Sequence, residues 1–515
     1  MAESGDAPRA DGRRLKPLLF VSNHAGDASV LADYLRSYGY LLVGSMVAEG
    51  YAETEQDGGP LLSVVWEPHP GGVTVAWKEK GRVWEHREEI LPASFAETDE
   101  NRRRRMLRLT FHRLLAREPE CRDAIQSPPQ PWGILTGVRP SKMLQRFIDQ
   151  GFSDDEIRSI AEKDFGVDPG RSALLLSVCH TQRPHLPALD EGRNRVSLYI
   201  GYPFCPSRCS YCSFPGYELK RWRKWQDACH QAMENEIRQV GKAAAEMGFQ
   251  VETLYFGGGT PTCMPPADMD RLLCAVQESF SIMPQAEWTV EGGRPETLTD
   301  EMLSVVASHP VNRICVNPQS MNPETLARIG RQHDAATLRE AMARVRDKGW
   351  RINCDLILGL PGEGLAEIEY SLREVLALRP DNVTLHGLAI KRGSAYKEQE
   401  EGLPERLSGL EMIARSRAAL AEAGYIPYYL YRQKDSLAGG ENIGYSVPGH
   451  ECLYNILMIE ERQTILGLGT GAGSKFLKPG DWSLENLYNP KDMIQYIDRI
   501  EDLIHRKVDK LANLV

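Results

Sequence analysis

No apolar run in this chain approaches the roughly 18 residues that a membrane span needs, so the sequence predicts no transmembrane helix. The first residues, Met1-Ala-Glu-Ser-Gly-Asp, are polar, and the basic stretch Arg9–Lys16 is followed by no apolar core with a cleavage site. These absences predict a cytoplasmic protein with no membrane contact. A disulfide framework is missing too. The 11 cysteines are odd in number and scattered from Cys121 to Cys452, mostly in apolar segments such as Leu272-Leu-Cys274-Ala-Val and Ile314-Cys315-Val316. There they read as small core hydrophobes. Positive charge is not in excess: the net charge of −10 speaks against a generic nucleic-acid binder, and the basic run Arg102–Arg105 is local. No repeat of solenoid period is present.

What is present is 515 residues, enough for two or three domains. Residues 1–190 read as an N-terminal α+β domain of unknown role. It has strands at Leu18–Ser22, Tyr40–Met46 and Val73–Trp77 and a basic helix at Asp99–Arg117. A turn-rich break follows at Pro128–Trp132, then two helices within Gly151–Val178. From Val196 the pattern changes. Six strands (Ser197–Tyr202, Val251–Phe256, Glu287–Glu291, Arg313–Asn317, Ile352–Leu358 and Asn382–His386) alternate with helices, the first of them a long one over Lys220–Met247. Such alternation implies parallel pairing with right-handed crossovers. The expected fold is therefore α/β, a full or partial barrel over residues 191–400 with its site at the carboxyl ends of the strands. Residues 401–515, rich in Tyr, Gly and Asn, read as a C-terminal substrate-covering region.

The most informative residues follow the first of these strands. Cys205-Pro-Ser-Arg-Cys209-Ser-Tyr-Cys212 has the spacing C-x3-C-x2-C. Four thiolates normally complete a [4Fe–4S] cluster. Three leave one iron open to an exchangeable ligand, which points to chemistry rather than plain electron transfer. A zinc site would normally need a fourth Cys or His. The nearest, Cys229 and His230, lie on the predicted long helix, out of step with the loop. Gly257-Gly-Gly259 and Thr260 end the second strand, where glycine lets backbone groups come close to a ligand. Arg331 has the planar fork that suits a carboxylate.

The run from Tyr199-Ile-Gly-Tyr-Pro-Phe-Cys205 to Cys212, followed by Phe256-Gly-Gly-Gly-Thr-Pro-Thr262, resembles the radical S-adenosylmethionine (radical SAM) enzymes. Val290-Glu-Gly-Gly-Arg-Pro295, Asn317-Pro-Gln-Ser-Met-Asn322 and Asp355-Leu-Ile-Leu-Gly-Leu-Pro361 narrow the likeness. The chain resembles the oxygen-independent coproporphyrinogen III oxidase group, in the coproporphyrinogen dehydrogenase branch with an extra N-terminal domain. The resemblance implies a partial (β/α)6 radical SAM barrel with two cofactors, a [4Fe–4S] cluster and S-adenosyl-L-methionine. It makes Cys205, Cys209 and Cys212 the cluster ligands. SAM would chelate the open iron through its amino and carboxylate groups, and an electron would cleave its C5′–S bond. The resulting deoxyadenosyl radical would take a hydrogen atom from substrate. Tyr199, Tyr211, Gly258, Gly259, Thr260 and Glu291 match SAM-contacting positions. Gln319, Arg331 and Asp355 match those that hold a second SAM.

The implied substrate is a tetrapyrrole with four propionates. Arg432, Lys391, Arg392 and Lys220-x3-Lys224 are candidate cations for it, and Tyr445, Tyr454 and Asn455 candidate pocket residues. A reduced flavodoxin or ferredoxin is the expected electron donor. The implied reaction is oxidative decarboxylation of coproporphyrinogen III to protoporphyrinogen IX. Two positions depart from the better-known oxidases: Phe214 stands where they carry a further cysteine, and Gly201 where they carry a histidine. The missing cysteine favours a second reading, a haem chaperone or haem-handling protein without oxidase activity. A third, radical modification of RNA through the Arg102–Arg105 region, is opposed by the acidic net charge.

Overall fold

The computed structural model describes residues 16–22, 27–37, 40–47, 60–67, 72–89, 95–121, 130–188, 191–389, 406–433, 441–478 and 483–514. The chain divides into two compact units, Met1–Cys179 and His180–Val515. No helix among the described residues is long and apolar enough to cross a membrane.

The first unit is built on five strands: β1 (Lys16–Ser22), β2 (Tyr40–Val47), β3 (Leu61–Glu67), β4 (Gly72–Glu79) and β5 (Arg82–Glu89). Their order is β2-β1-β3-β4-β5. β1 runs parallel to both neighbours, and β3, β4 and β5 form an antiparallel meander. Helix α1 (Asp27–Ser37) and helix α2 (Asp99–Arg117) contribute apolar side chains to the same core as the sheet. The Thr98 hydroxyl caps α2 by accepting from the Asn101 N–H at 3.2 Å. The basic run on this helix is largely neutralised. Arg105 is buried, with Nη2 2.7 Å from Glu97 and Nη1 3.2 Å from Asp164. Arg102 pairs with Asp99, Arg104 with Glu100, and Arg103 lies 4.4 Å over the Trp66 ring.

The second unit is organised by one sheet of 11 strands. They are β6 (Arg195–Tyr202), β9 (Gln250–Gly258), β10 (Ser281–Glu291), β11 (Arg313–Cys315), β12 (Arg351–Leu358), β13 (Asn382–Gly387), β14 (Ile426–Arg432), β15 (Glu441–Ser446), β16 (Thr464–Gly469), β17 (Gly473–Leu477) and β18 (Leu484–Tyr488). A separate two-stranded pair, β7 (Phe204–Cys205) and β8 (Tyr217–Glu218), brackets the cysteine loop. The sheet order is β14-β15-β13-β12-β11-β10-β9-β6-β16-β17-β18. Its centre is the six expected strands, all parallel, in the sequential order that right-handed crossovers produce. β14 and β18 end the sheet and do not pair with each other, so the barrel is partial. Central strands such as β9 and β12 are buried on both faces, as parallel strands covered by helices must be.

Two local expectations change. The single helix expected over Lys220–Met247 is broken into a short helix Leu219–Trp222, a tight turn Arg223–Trp225 and a long helix Gln226–Glu246. The strand expected to reach Asn317 stops at Cys315; Val316 still donates to the Asn353 carbonyl at 2.8 Å, and Pro318, with no N–H, cannot carry the ladder further. Gln319 then rejoins the sheet by an isolated bridge to Leu356, with φ +66°.

Candidate active site

The carboxyl ends of the parallel strands open into a cavity of about 690 Å³. All twelve residues implied by the sequence line it: Cys205, Cys209, Cys212, Tyr199, Tyr211, Gly258, Gly259, Thr260, Glu291, Gln319, Arg331 and Asp355. They come from β6, the cysteine loop, β9, β10, the segment after β11, and β12, so only the barrel closure brings them together.

The cysteine loop is held from several sides. β7 pairs with β8, the Ser210 N–H donates to the Ile329 carbonyl at 3.2 Å, and the Ser207 hydroxyl donates to the Gly330 carbonyl at 3.1 Å. Buried Arg294 donates through Nη2 to the Ser207 carbonyl at 2.8 Å and to Cys209 Sγ at 3.1 Å. None of the three thiols is in a disulfide. Burial pushes the Cys205 thiol up to about 11, against a lowering contribution from the Thr260 hydrogen bond, and raises that of Cys212 too. Three convergent unpaired thiols beside a guanidinium are a donor set that a [4Fe–4S] cluster fits.

The glycine segment serves the loop as well as the cavity. The Gly259 N–H donates to the Tyr202 carbonyl at 2.5 Å, and the Thr260 N–H to the Phe204 carbonyl at 2.8 Å. A Cβ on Gly258 would lie 2.7 Å from the Tyr202 carbonyl oxygen, and one on Gly259 2.4 Å from that of Phe204. Gly258 also has φ +103°. Close backbone approach to the chain entering the cysteine loop therefore demands glycine here, apart from any ligand.

Beyond the thiols the cavity wall is polar. Burial and the Asp355 charge push the Glu291 carboxyl up to about 8, although it accepts a hydrogen bond from the Gly258 backbone. Arg331 donates to the carbonyls of Gly293 (2.6 Å) and Asn317 (2.9 Å) and to the Tyr211 hydroxyl (2.9 Å). Four buried polar atoms of lining residues have no hydrogen-bond partner: Arg294 Nη1, Arg331 Nε, Asn317 Oδ1 and Gln319 Oε1. Leaving such groups unpaired costs about 1–3 kcal/mol each. The wall thus fits a ligand carrying both donors and acceptors, as SAM does.

Part of the lining is aromatic. Tyr199, Tyr255 and Tyr454 stack, with ring centroids 4.8–6.4 Å apart. Tyr199 and Tyr255 are register partners on β6 and β9. Tyr454 is set by a buried pair. Glu287, 3.1 Å from Arg313, accepts from the N–H groups of Leu453 and Tyr454 at 3.1 and 3.0 Å, fixing the start of helix Leu453–Glu460. His386 also lines the cavity, within 3.2 Å of the Tyr431 hydroxyl and 3.7 Å from Asp355.

Several candidates for holding the tetrapyrrole are relocated. Tyr454 and Asn455 line the cavity; Tyr445 and Arg432 do not. In β15 the side chain facing the cavity is Asn442, and in β14 they are Tyr429 and Tyr431. The two-residue alternation of a strand turns Tyr445 and Arg432 the other way. Lys220 and Lys224 are exposed and outside the cavity. Lys391 and Arg392 lie outside the described residues. The cations that do line it are Arg208, Arg294, Arg331, Lys475 and Lys491. Arg294 lies in the quoted Gly-Gly-Arg-Pro motif, and Tyr255 has the in-strand phase of Gly257; those signals could have found them. Elsewhere, Asp270, Cys274 and His309 approach within 4.8 Å, but the His309 ring is already engaged by Gln277 and Asp270.

Residues 199–375 match the radical SAM superfamily. Over 391 residues the chain is 38% identical to the oxygen-independent coproporphyrinogen-III oxidase-like protein HemZ of Bacillus subtilis (strain 168), covering 75% of this chain and 78% of that one. This chain belongs to the radical SAM superfamily, in the oxygen-independent coproporphyrinogen III oxidase group. The cofactors of that superfamily are a [4Fe–4S] cluster and SAM. Two further radical SAM relatives carry different names. The haem chaperone HemW of Escherichia coli (strain K12) is 29% identical over 285 residues, 55% of this chain and 71% of that one. The oxygen-independent coproporphyrinogen III oxidase of Paracoccus denitrificans (strain Pd 1222) is 28% identical over 289 residues, 55% of this chain and 62% of that one. Kinship therefore gives the group and leaves oxidase and chaperone side by side.

Proposed function

We propose that this chain is a cytoplasmic oxidase that converts coproporphyrinogen III to protoporphyrinogen IX without oxygen. The observation that carries the reading is the mixed lining of one cavity: three thiols, a set of buried polar groups and a stack of three tyrosines share one space. Cys205, Cys209 and Cys212 would hold the cluster, the Gly258–Thr260 segment and Glu291 would hold SAM against it, and Gln319 and Arg331 would stand at the position of a second SAM. When bound, these cofactors supply one-electron chemistry that removes a hydrogen atom from substrate. Each of the two propionates that react would then lose that hydrogen atom, carbon dioxide and one electron, the electron passing to an external one-electron acceptor, to leave a vinyl group. The chain's own residues orient and enclose. The tyrosine stack gives a flat apolar floor for a tetrapyrrole. Lys475, 2.7 Å from Glu461, and exposed Lys491 offer cations for propionates. Buried Arg294 keeps Cys209 in place.

A haem-handling role is the second reading. Phe214, 61% exposed at the cavity lip, stands where the oxidases carry a further cysteine. Anaerobic incubation of the reconstituted protein with SAM, dithionite and coproporphyrinogen III, followed by mass spectrometry, separates the two. Successive losses of carbon dioxide with formation of 5′-deoxyadenosine are expected. A stable haem complex with no decarboxylated product would overturn the oxidase reading in favour of the second.

A further inference from the structure

The Lys220–Lys224 cations face solvent outside the cavity, yet they adjoin the cysteine loop. The β7–β8 pairing sets Cys205 directly against Glu218, roughly 5 Å away across the strands. The short helix begins at the next residue, Leu219. The break in the expected long helix leaves Lys220, Arg221, Arg223 and Lys224 all exposed. None of the four forms an ion pair among the described residues, and Glu218 and Asp227 are the flanking acids. This is a concentration of positive charge on a chain whose net charge is −10.

The patch continues through neighbouring residues. Tyr217 donates to the Lys491 carbonyl at 3.4 Å and accepts from the Met493 N–H at 2.9 Å, which brings exposed Lys491 alongside. Apolar faces lie among these charges. Phe214 is 61% exposed, Trp222 stands edge-on to Tyr217 at 4.9 Å, and Trp225 lies 5.8 Å from the Lys224 ammonium. Aromatic anchors ringed by charge of one sign are what a steered, transient protein contact uses.

We propose that Phe214–Trp225 together with Lys491 is the landing surface for an acidic protein that carries single electrons. The proposal rests on the reading that Cys205, Cys209 and Cys212 hold a cluster. The carrier is oxidised by one electron and the cluster reduced by one; no bond forms and no proton moves. The charges serve encounter and orientation, and proximity to Cys205 serves transfer. A polyanion bound for its phosphates has no need of a place beside the cysteine loop.

The test follows cluster bleaching by stopped flow when the reconstituted protein meets hydroquinone flavodoxin, an acidic carrier, without coproporphyrinogen. The second-order rate is expected to fall about tenfold or more from low to high salt. A similar fall at low salt is expected in K220E/R221E/R223E/K224E, and a smaller one in the all-glutamine version of the same four sites. Reduction by dithionite should stay unchanged in both variants. Wild-type carrier rates in both variants overturn the proposal. So does an equal loss with carrier and dithionite in both, because the residues would then support the cluster rather than docking. Salt-sensitive retention of a short RNA through these four cations, with the carrier rate untouched, assigns the patch to nucleic acid instead. Iron content measured before mixing shows separately whether the cluster reading holds, and tetrapyrrole turnover plays no part in the readout.

Discussion

The Lys507 ammonium lies 2.6 Å from the Glu236 carboxylate, and neither side chain has any exposure. The other Glu236 oxygen accepts from the Gly469 N–H at 2.6 Å and the Tyr496 hydroxyl at 2.8 Å. Thr470 and Gly471, next along, form part of the cavity rim. One buried charge pair thus ties the last helix, Ile500–Ala512, to the lip of the site. Lys507→Ala, which strands the carboxylate, should cost about 3–5 kcal/mol in denaturant unfolding. Lys507→Met combined with Glu236→Gln should cost less. A loss below about 1 kcal/mol for Lys507→Ala would show that the pair does not hold the helix.

The three loop cysteines should be individually indispensable for iron. Cys205→Ser, Cys209→Ser and Cys212→Ser are each expected to lower the reconstituted content from about four iron atoms per chain to near zero. Cys263→Ser should retain it, since Cys263 packs behind the loop, 3.8 Å from the Phe204 carbonyl, and does not line the cavity. Iron and sulfide assays on the four variants decide this. Full iron in any one of the first three would remove that residue from the ligand set.

Glu291 gives the apo chain a pH dependence of definite sign. Its carboxyl is raised from 4.5 to about 8, so the native state keeps a proton that the unfolded chain has released. Stability from this group is present at low pH and is lost as pH rises through that window. Urea midpoints for apo wild type should therefore fall from pH 5 to pH 8 more steeply than those of Glu291→Gln. Parallel profiles for the two proteins would contradict the assignment.

Tyr454 should act through its ring. Stacking of this kind contributes ~0.5–1.5 kcal/mol beyond buried area. Tyr454→Ala is expected to weaken coproporphyrin binding about threefold to tenfold, and Tyr454→Phe to leave it nearly unchanged. Fluorescence titration measures both. Equal loss in the two variants would move the role to the hydroxyl.

The central barrel was legible because its strands are buried on both faces and read as apolar runs ending in glycine or polar motifs, as at Phe256–Thr260 and Val290–Arg294. β5 was not, since Arg82-Val-Trp-Glu-His-Arg-Glu-Glu89 is an edge strand whose charged side chains carry no core signal. The break at Arg223–Trp225 was hidden because nothing in Arg-Lys-Trp forbids a helix. Of the twelve cavity residues, the three cysteines were legible through their spacing and the other nine through the family resemblance of the motifs that carry them. The orientation of Tyr445 and Arg432 was not, because it depends on strand phase, which a one-residue error inverts. Glu287 acts through a hydrogen bond from the distant Tyr454 N–H, and such a partnership leaves no mark on local sequence.

Both flanks of the parallel sheet are finished by the same late stretch of chain: β14 and β15 on the β13 side, β16 to β18 on the β6 side. The cysteine loop and the barrel strands therefore leave the ribosome well before the segments that pair with their two open borders. Until residues 426–488 have been made, β6 and β13 each present unpaired backbone to other nascent chains. Tyr454 and Lys475 belong to that same stretch and the Lys507 anchor follows it, so the lining of the pocket is completed long after its cysteine loop has been made.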